Sequence, residues 1–89
     1  MDLKEAREEL AAIDREIVTL IKKRSDFASV IRDAKKESGT PVRDEKQRMG
    51  VLLRAMGFAE DSGLDPERIC EIFEILIEMN EDMQRKLSK

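Results

Sequence analysis

The sequence predicts an all-α fold of three helices, one long, one short and one of medium length, in a single domain spanning residues 1–89. Charged residues make up 42% of the chain and aromatic residues 3%, a composition that suits surface-exposed helices better than a β-sandwich. Apolar residues recur at the three- and four-residue spacing of helix faces. Turn-forming segments divide this pattern into three parts.

The first helix is predicted from Asp2 to about Lys36. Asp2 and Glu5 have the spacing of a capping box, and the segment Ser38-Gly39-Thr40-Pro41 ends the helix. At 1.5 Å per residue it would be ~50 Å long, too long to be hidden within so small a domain. Counting from Leu3 in alternating steps of three and four residues gives ten positions on one helix face, and only Arg24 among them is polar. We call this face the apolar stripe: Leu3, Ala6, Leu10, Ile13, Ile17, Leu20, Arg24, Phe27, Ile31 and Ala34.

The second and third helices have equally clear starts. The second begins at Asp44, with Gln47 placed for another capping box, and frays near residues 61–63. The third opens with Asp65-Pro66-Glu67, which supplies an N-cap, a proline at the first helical position and an acid in the first turn. The predicted apolar faces are Met49, Leu52, Met56 and Ala59 on the second helix, and Ile69, Ile72, Phe73, Leu76, Asn80, Met83 and Leu87 on the third.

Composition excludes several classes of function. A net charge of −3 gives no global basic field for nucleic acid. There is no transmembrane-length apolar run and no signal peptide, so we expect a soluble cytoplasmic protein without a membrane partner. Because the chain lacks histidine, histidine metal sites and Ser/His or Cys/His nucleophile pairs are excluded. We expect no cofactor and no metal, and Cys70 is expected to be a small buried hydrophobe.

Arg24 raises the question of function, because a buried guanidinium cannot lose its charge and is costly if unpaired. Its side chain could extend along the helix to reach solvent, or it could pair with a carboxylate of a helix packed against the apolar stripe. The facing stripe of the third helix, however, offers the neutral amides Asn80 and Gln84, and the acids of that helix lie mostly off this line. A bound anionic ligand could therefore neutralise the charge of Arg24.

Lys35 and Arg7 extend the anion hypothesis. Lys35 lies eleven residues after Arg24, only ~20° around the helix and ~16 Å along it, so the two cations could hold a small dicarboxylate. Arg7 is ~42 Å from Lys35 on the same helix and cannot share that site within one chain. It could do so if two long helices paired antiparallel in a dimer, although an ordinary surface charge explains Arg7 equally well.

The ordered set of motifs is similar to the all-helical AroQ class of chorismate mutases. The matching stretches are residues 6–14 (AREELAAID), 20–24 (LIKKR), 34–35 (AK), 41–44 (PVRD) and 73–84, at a spacing that fits the bacterial mutase domain without gaps. The resemblance implies an intertwined homodimer with two equivalent sites. It also implies conversion of chorismate to prephenate in aromatic amino-acid biosynthesis.

The resemblance assigns roles to individual residues of this chain. Arg24, Lys35 and Gln84 would come from one chain as the catalytic set, and Arg7 would reach in from its partner. The two arginines would bind the carboxylates of the substrate, while Lys35 and Gln84 would donate to its ether oxygen. Asp44 would help hold the ring hydroxyl through its backbone, and Asn80 falls where a small polar contact residue usually lies.

Arg48 departs from the family pattern, which typically has a glutamate there that accepts the ring hydroxyl. An arginine cannot accept a hydrogen bond, but it could pair with Asp44 at i+4 or add positive charge to the binding site. Two other functions stay open. One is pyruvate elimination from isochorismate on the same scaffold, and the other is a non-enzymatic helical dimerisation module.

Overall fold

Four helices account for most of residues 1–88, the part of the chain that the computed structural model describes. No strand occurs in this part, which confirms the all-α class. The expected second and third helices are present as α3 and α4, and the expected long helix is present as α1 and α2 in immediate succession. Their bounds are α1 (Leu3–Asp26), α2 (Ala28–Ser38), α3 (Glu45–Asp61) and α4 (Pro66–Leu87).

The boundary between α1 and α2 is a local irregularity at Phe27. Its backbone N–H donates to the carbonyl of Arg24 at 3.2 Å, an i to i−3 bond typical of a tightened 3₁₀ turn. The next turn is regular again, because the N–H of Ile31 donates to the carbonyl of Phe27 at 2.9 Å. The interruption therefore falls within one turn of the arginine that breaks the apolar stripe.

Aspartate caps begin three of the helices where the sequence predicts them. Each carboxylate accepts a backbone N–H of the first turn, which satisfies a donor that has no partner within the helix. Gly39 ends α2 at φ 71°, a left-handed conformation that glycine adopts without strain. The capping bonds join Asp2 to Glu5 (2.8 Å), Asp44 to Gln47 (3.2 Å) and Asp65 to Glu67 (2.9 Å).

The core lies between α4 and the two helices packed on it, α3 and α2. Ala55 and Ala59 of α3 are each 2% exposed, and Ala28 of α2 is fully buried. These small side chains let the helix backbones approach α4, which contributes the buried Ile77. The predicted face of α3 is partly wrong, because Met49 is 57% exposed.

Helix α1 has no buried residue. It contacts α2 and α4, and leaves most of the apolar stripe uncovered: Leu3, Leu10, Ile13, Ile17 and Leu20. The Cα trace extends over 54 × 27 × 14 Å, so the molecule is elongated and thin. Its accessible surface of 7044 Å² exceeds the roughly 5,400 Å² expected of a folded 10.3-kDa monomer.

Among the described residues, none of the helices combines the length and the apolar character needed to cross a bilayer. The cytoplasmic location stays a prediction.

Candidate active site

A cavity of 290 Å³ lies where α2, α3 and α4 meet the end of α1. Six of the seven predicted site residues line it, although they come from positions spread over 60 residues of the chain: Arg24, Lys35, Asp44, Arg48, Asn80 and Gln84. Apolar side chains complete the wall, including Phe27, Ile31, Val51 and Ile77. The cavity therefore combines an apolar body with convergent polar groups, as expected of a small-molecule site.

Arg24 is held against α4 without an acidic partner. Its Nη1 donates to the backbone carbonyl of Leu76 at 3.4 Å, and its guanidinium carbon lies 5.8 Å from the centroid of the Phe73 ring. These contacts orient the group but leave its charge uncompensated, since no ion pair within residues 1–88 includes Arg24. The half-buried guanidinium is available for an anion in the cavity.

Lys35 is the second cation without a carboxylate partner in the described part of the chain. Its half-buried ammonium donates to the backbone carbonyl of Val42, in the loop between α2 and α3. Because an ammonium carries three N–H groups, two more remain for a ligand. The loop therefore fixes where the charge of Lys35 lies.

Asn80 and Gln84 form a short chain of hydrogen bonds that starts at the backbone of Arg24. Asn80 Nδ2 donates to the carbonyl of Arg24 at 3.3 Å, and Gln84 Nε2 donates to Asn80 Oδ1 at 2.6 Å. Gln84 is only 2% exposed, and within residues 1–88 its buried Oε1 has no partner. Since Nε2 carries two hydrogens, one of them stays free to donate to a ligand.

Arg48 pairs with acids of α4 and not with Asp44, so of the two possibilities left open for it the i+4 pairing does not form. Its Nη1 lies 3.5 Å from Glu81 Oε1, and its Nη2 lies 3.5 Å from Glu78 Oε1. The carboxylate of Asp44 instead caps α3 by accepting the N–H of Gln47. The close packing of α3 on α4 brings acids of the facing helix within reach of Arg48.

Glu81 is the charged residue of this cavity that the sequence pattern did not identify. It is 7% exposed and lines the cavity, whereas its neighbour in the ion pair, Glu78, has a side chain that is 60% exposed. A signal was present, because Ile77, Glu81 and Gln84 follow each other at steps of four and three. These are the three buried residues of α4, and they place one of its acids on the inner face.

Arg7 is exposed on α1 and does not line the cavity. It precedes Arg24 by 17 residues, which is about 26 Å along a helix. Within one chain the structure therefore does not unite Arg7 with the other six residues.

The lining residues leave the cavity positive. Three cations (Arg24, Lys35 and Arg48) face two carboxylates (Asp44 and Glu81), and one of the carboxylates is already paired with Arg48. Hydrogen-bond donors outnumber the groups that accept. Such a site can bind an anion, fix its shape and stabilise negative charge, which are contributions to catalysis that need no nucleophile.

Cys70 lies outside this cavity and is half-buried rather than fully buried. Its Sγ is 3.8 Å from Glu74 Oε1. Burial raises the pKa of the Cys70 thiol, and the charges of Glu74 and Glu71 raise it further. The thiol is therefore in the less reactive, protonated form at neutral pH.

Comparison with known proteins finds sequence and structural similarity over nearly the whole chain. A family model described as chorismate mutase type II matches residues 6–85. The chorismate mutase of Methanocaldococcus jannaschii is 29% identical over 94% of this chain and 85% of its own length. The bifunctional chorismate mutase/prephenate dehydratase of Escherichia coli is 31% identical over 81% of this chain, which spans 19% of that protein. A solved structure, described as a conserved hypothetical protein from Pyrococcus furiosus, superposes with a TM-score of 0.72 at 36% identity, covering 92% of this chain and 93% of its own.

Proposed function

The chain belongs to the type II chorismate mutase family, and we propose that it converts chorismate to prephenate in the cavity between α2, α3 and α4. The observation that carries the proposal is the pair of cations, Arg24 and Lys35, that face this cavity without a carboxylate partner in residues 1–88. A dianionic substrate supplies the missing negative charge. The relatives named above support the same reaction.

The reaction suits a site made of charges and amides. Chorismate rearranges to prephenate within one molecule: the ether C–O bond breaks while a C–C bond forms, and no proton is transferred. The enzyme has to hold the flexible dianion in a compact chair. It also has to stabilise the negative charge that grows on the ether oxygen in the transition state.

Arg24 binds one carboxylate of the substrate in this proposal. Its contacts with Leu76 and Phe73 hold the guanidinium in place before the substrate arrives. A guanidinium presents two parallel N–H groups to a carboxylate, so it fixes the orientation of that group as well as its position. The second carboxylate needs a further cation.

Lys35 and Gln84 donate to the ether oxygen. The ammonium of Lys35 keeps its bond to Val42, and Gln84 keeps its bond to Asn80, because each nitrogen has a further hydrogen to donate. Donors that are already in place cost no rearrangement when charge develops. Their interaction with the transition state is stronger than with the ground state, and this difference raises turnover.

We further propose that the active protein is an intertwined homodimer. The uncovered apolar stripe of α1 supports this, as does an accessible surface larger by roughly 1,600 Å² than that of a typical monomer of this mass. A second copy that covers this face would bury an interface within the range of obligate dimers.

Arg7 then reaches the site of the partner copy. In a two-fold dimer with antiparallel α1 helices centred near Ile17 and Val18, residue 7 of one copy lies opposite residue 28 of the other, which falls between Arg24 and Lys35 in the sequence. Both central residues are at least half exposed. With Arg7 added, the cavity carries a net charge of about +2 from its lining, which matches the dianion.

Asp44 contacts the substrate through its backbone, whereas Asn80 acts through Gln84. The backbone N–H of Asp44, at the start of α3, offers a donor to the oxygen of the ring hydroxyl. The amide oxygen of Asn80 accepts a hydrogen bond from Gln84, and its amide nitrogen donates one to the backbone carbonyl of Arg24. Asn80 is thus a positioning residue for Gln84.

The test is an absorbance assay of chorismate loss with product analysis, run in parallel on isochorismate. We expect prephenate from chorismate, and no activity in Arg24→Ala. Low absorbance of the protein helps, because the chain has no tyrosine or tryptophan. Release of pyruvate from isochorismate would favour the lyase alternative, while failure to bind or convert either compound would indicate a dimerisation module.

A further inference from the structure

We infer that Glu81 recognises the ring hydroxyl of the substrate by accepting a hydrogen bond from it, and that Arg48 positions this carboxylate. The inference rests on the proposed conversion of chorismate. It concerns a residue of α4 that belongs to the acids which the sequence pattern placed mostly off the facing stripe, and it assigns a role to the ion pair that joins α3 to α4.

The burial of Glu81 requires an explanation. An ionised carboxylate that is 7% exposed is costly unless it is paired and hydrogen-bonded. Arg48 supplies one contact, at 3.5 Å from Oε1. Within residues 1–88 no hydrogen bond uses Oε2 of Glu81, which leaves one oxygen of a cavity-lining carboxylate available to a ligand.

The chemistry of chorismate indicates which ligand group meets that oxygen. Its two carboxylates and its ether oxygen only accept hydrogen bonds, and its ring hydroxyl is the single polar group that donates. A carboxylate of the protein repels the first two and attracts the hydroxyl. Glu81 therefore favours one orientation of the substrate, with the hydroxyl toward α4, and disfavours the orientations that would bring a substrate carboxylate there.

Asp44 is the other carboxylate of the cavity, and it is less suited to this role because, unlike the buried Glu81, it is only half-buried. Its Oδ1 accepts the N–H of Gln47 in the cap of α3. Its backbone N–H donates rather than accepts, so it complements Glu81. A hydroxyl both donates and accepts, and the two residues satisfy both functions together.

Arg48 acts through Glu81. Its side chain is 12% exposed and lies between the carboxylates of Glu81 and Glu78. The guanidinium neutralises the buried carboxylate and fixes the direction of Oε1. A positive residue at position 48 thus restores an acceptor to the site from the opposite helix, where the family pattern supplies a glutamate from α3 itself.

The experiment compares chorismate with an analogue that carries hydrogen in place of the ring hydroxyl and keeps both carboxylates and the ether. kcat/KM is measured for both compounds with the wild-type protein, Glu81→Gln and Glu78→Gln. Glu78 is the matched control, because it contacts the same arginine but does not line the cavity. Glu81→Gln removes the charge and keeps the shape.

We expect the wild-type protein and Glu78→Gln to prefer chorismate over the deoxy analogue by about tenfold to a hundredfold, the scale of a hydrogen bond to a charged group. In Glu81→Gln the preference falls severalfold, because an amide oxygen accepts a weaker hydrogen bond than a carboxylate does. An unchanged preference in Glu81→Gln, or an equal loss on both compounds, overturns the inference. Absence of chorismate turnover in the wild-type protein overturns the proposed function together with it.

A second variant guards against misfolding of Glu81→Gln, which leaves Arg48 without its buried partner. Arg48→Met combined with Glu81→Leu removes both charges at once, which structures usually tolerate better than loss of one. We expect this double variant to fold, as judged by helical circular dichroism, and to show no preference for the hydroxyl. A retained preference for chorismate in the double variant contradicts the inference.

Discussion

Gln84 Nε2 lies 2.6 Å from Asn80 Oδ1, and the amide nitrogen of Asn80 is in turn fixed by the backbone carbonyl of Arg24 at 3.3 Å. The direction of each amide is set by the one before it. The nitrogen of Gln84 therefore faces Asn80, and its second hydrogen is left to point elsewhere. Through these bonds, the irregular end of α1 determines where a donor on α4 is placed.

Asn80→Ala is expected to lower kcat by roughly tenfold, with a smaller change in KM. The variant removes the acceptor that orients Gln84, so a donor that acts mainly on the transition state becomes less well placed. Steady-state kinetics on chorismate measure both constants. A rise in KM at constant kcat would show that Asn80 binds the substrate instead of positioning Gln84.

Lys35→Ala and Gln84→Ala are each expected to lower kcat by roughly 10²-fold or more, the scale for loss of one preset donor at a developing charge. Lys36→Ala is the control, because it removes an exposed ammonium from the neighbouring position of α2. Turnover numbers obtained under saturating chorismate decide the matter. Near-normal turnover in both Lys35→Ala and Gln84→Ala would defeat the assignment of these residues.

Ala59→Leu is expected to destabilise the fold by about 1–3 kcal/mol, because Ala59 is 2% exposed in the packed core of the molecule. For a domain of this size, each kcal/mol lowers Tm by roughly 4–8 °C. Thermal melts followed by circular dichroism test this. Glu60→Leu, at the adjacent exposed position, is expected to stay within about 0.5 kcal/mol of the parent protein, and equal melting of the two variants would argue against the packing.

Cys70 is expected to react slowly with iodoacetamide at pH 8–9 in the folded protein, and faster once the chain is unfolded in urea. Burial and the nearby Glu74 raise the pKa of the folded thiol, so the thiolate fraction at a given pH is smaller than in the unfolded chain. Because the folded chain holds the thiol proton more tightly than the unfolded chain, the free energy of unfolding decreases as the pH rises from neutral through the folded pKa. Alkylation followed by mass spectrometry measures both rates, and equal rates would contradict this protection.

The sequence predicted the ends of the helices well, because caps act locally. The bonds of Asp2, Asp44 and Asp65 to their first turns and the left-handed Gly39 each depend on a few neighbouring residues. The irregular turn at Phe27 has no such local signature, since neither proline nor glycine marks it. The irregular turn is evident only from the backbone hydrogen bond between Phe27 and Arg24.

The candidate site was predictable where one residue contradicts its own pattern, as Arg24 does in an apolar stripe. A site residue was not predictable from the sequence where its position resembles that of an ordinary surface residue. Glu81 lies among the acids of α4, and its burial follows from how closely the alanines of α3 bring the two helices together. The pairing of Arg48 with Glu81 rather than Asp44 has the same origin, because it depends on packing between helices distant in sequence.

Sharing of each site between two copies of the chain is the central claim, and subunit complementation tests it most directly. Arg7→Ala and Arg24→Ala chains are each inactive in this account, because every site in either homodimer lacks one carboxylate-binding arginine. A hybrid dimer has one site with both arginines and one with neither.

The measurement is chorismate mutase activity after the two inactive variants are unfolded together in equal amounts and refolded, with each variant refolded alone as the control. Random pairing makes half of the dimers hybrids, so we predict recovery of about a quarter of wild-type activity. Activity no higher in the mixture than in the separate variants would contradict a site built from two chains.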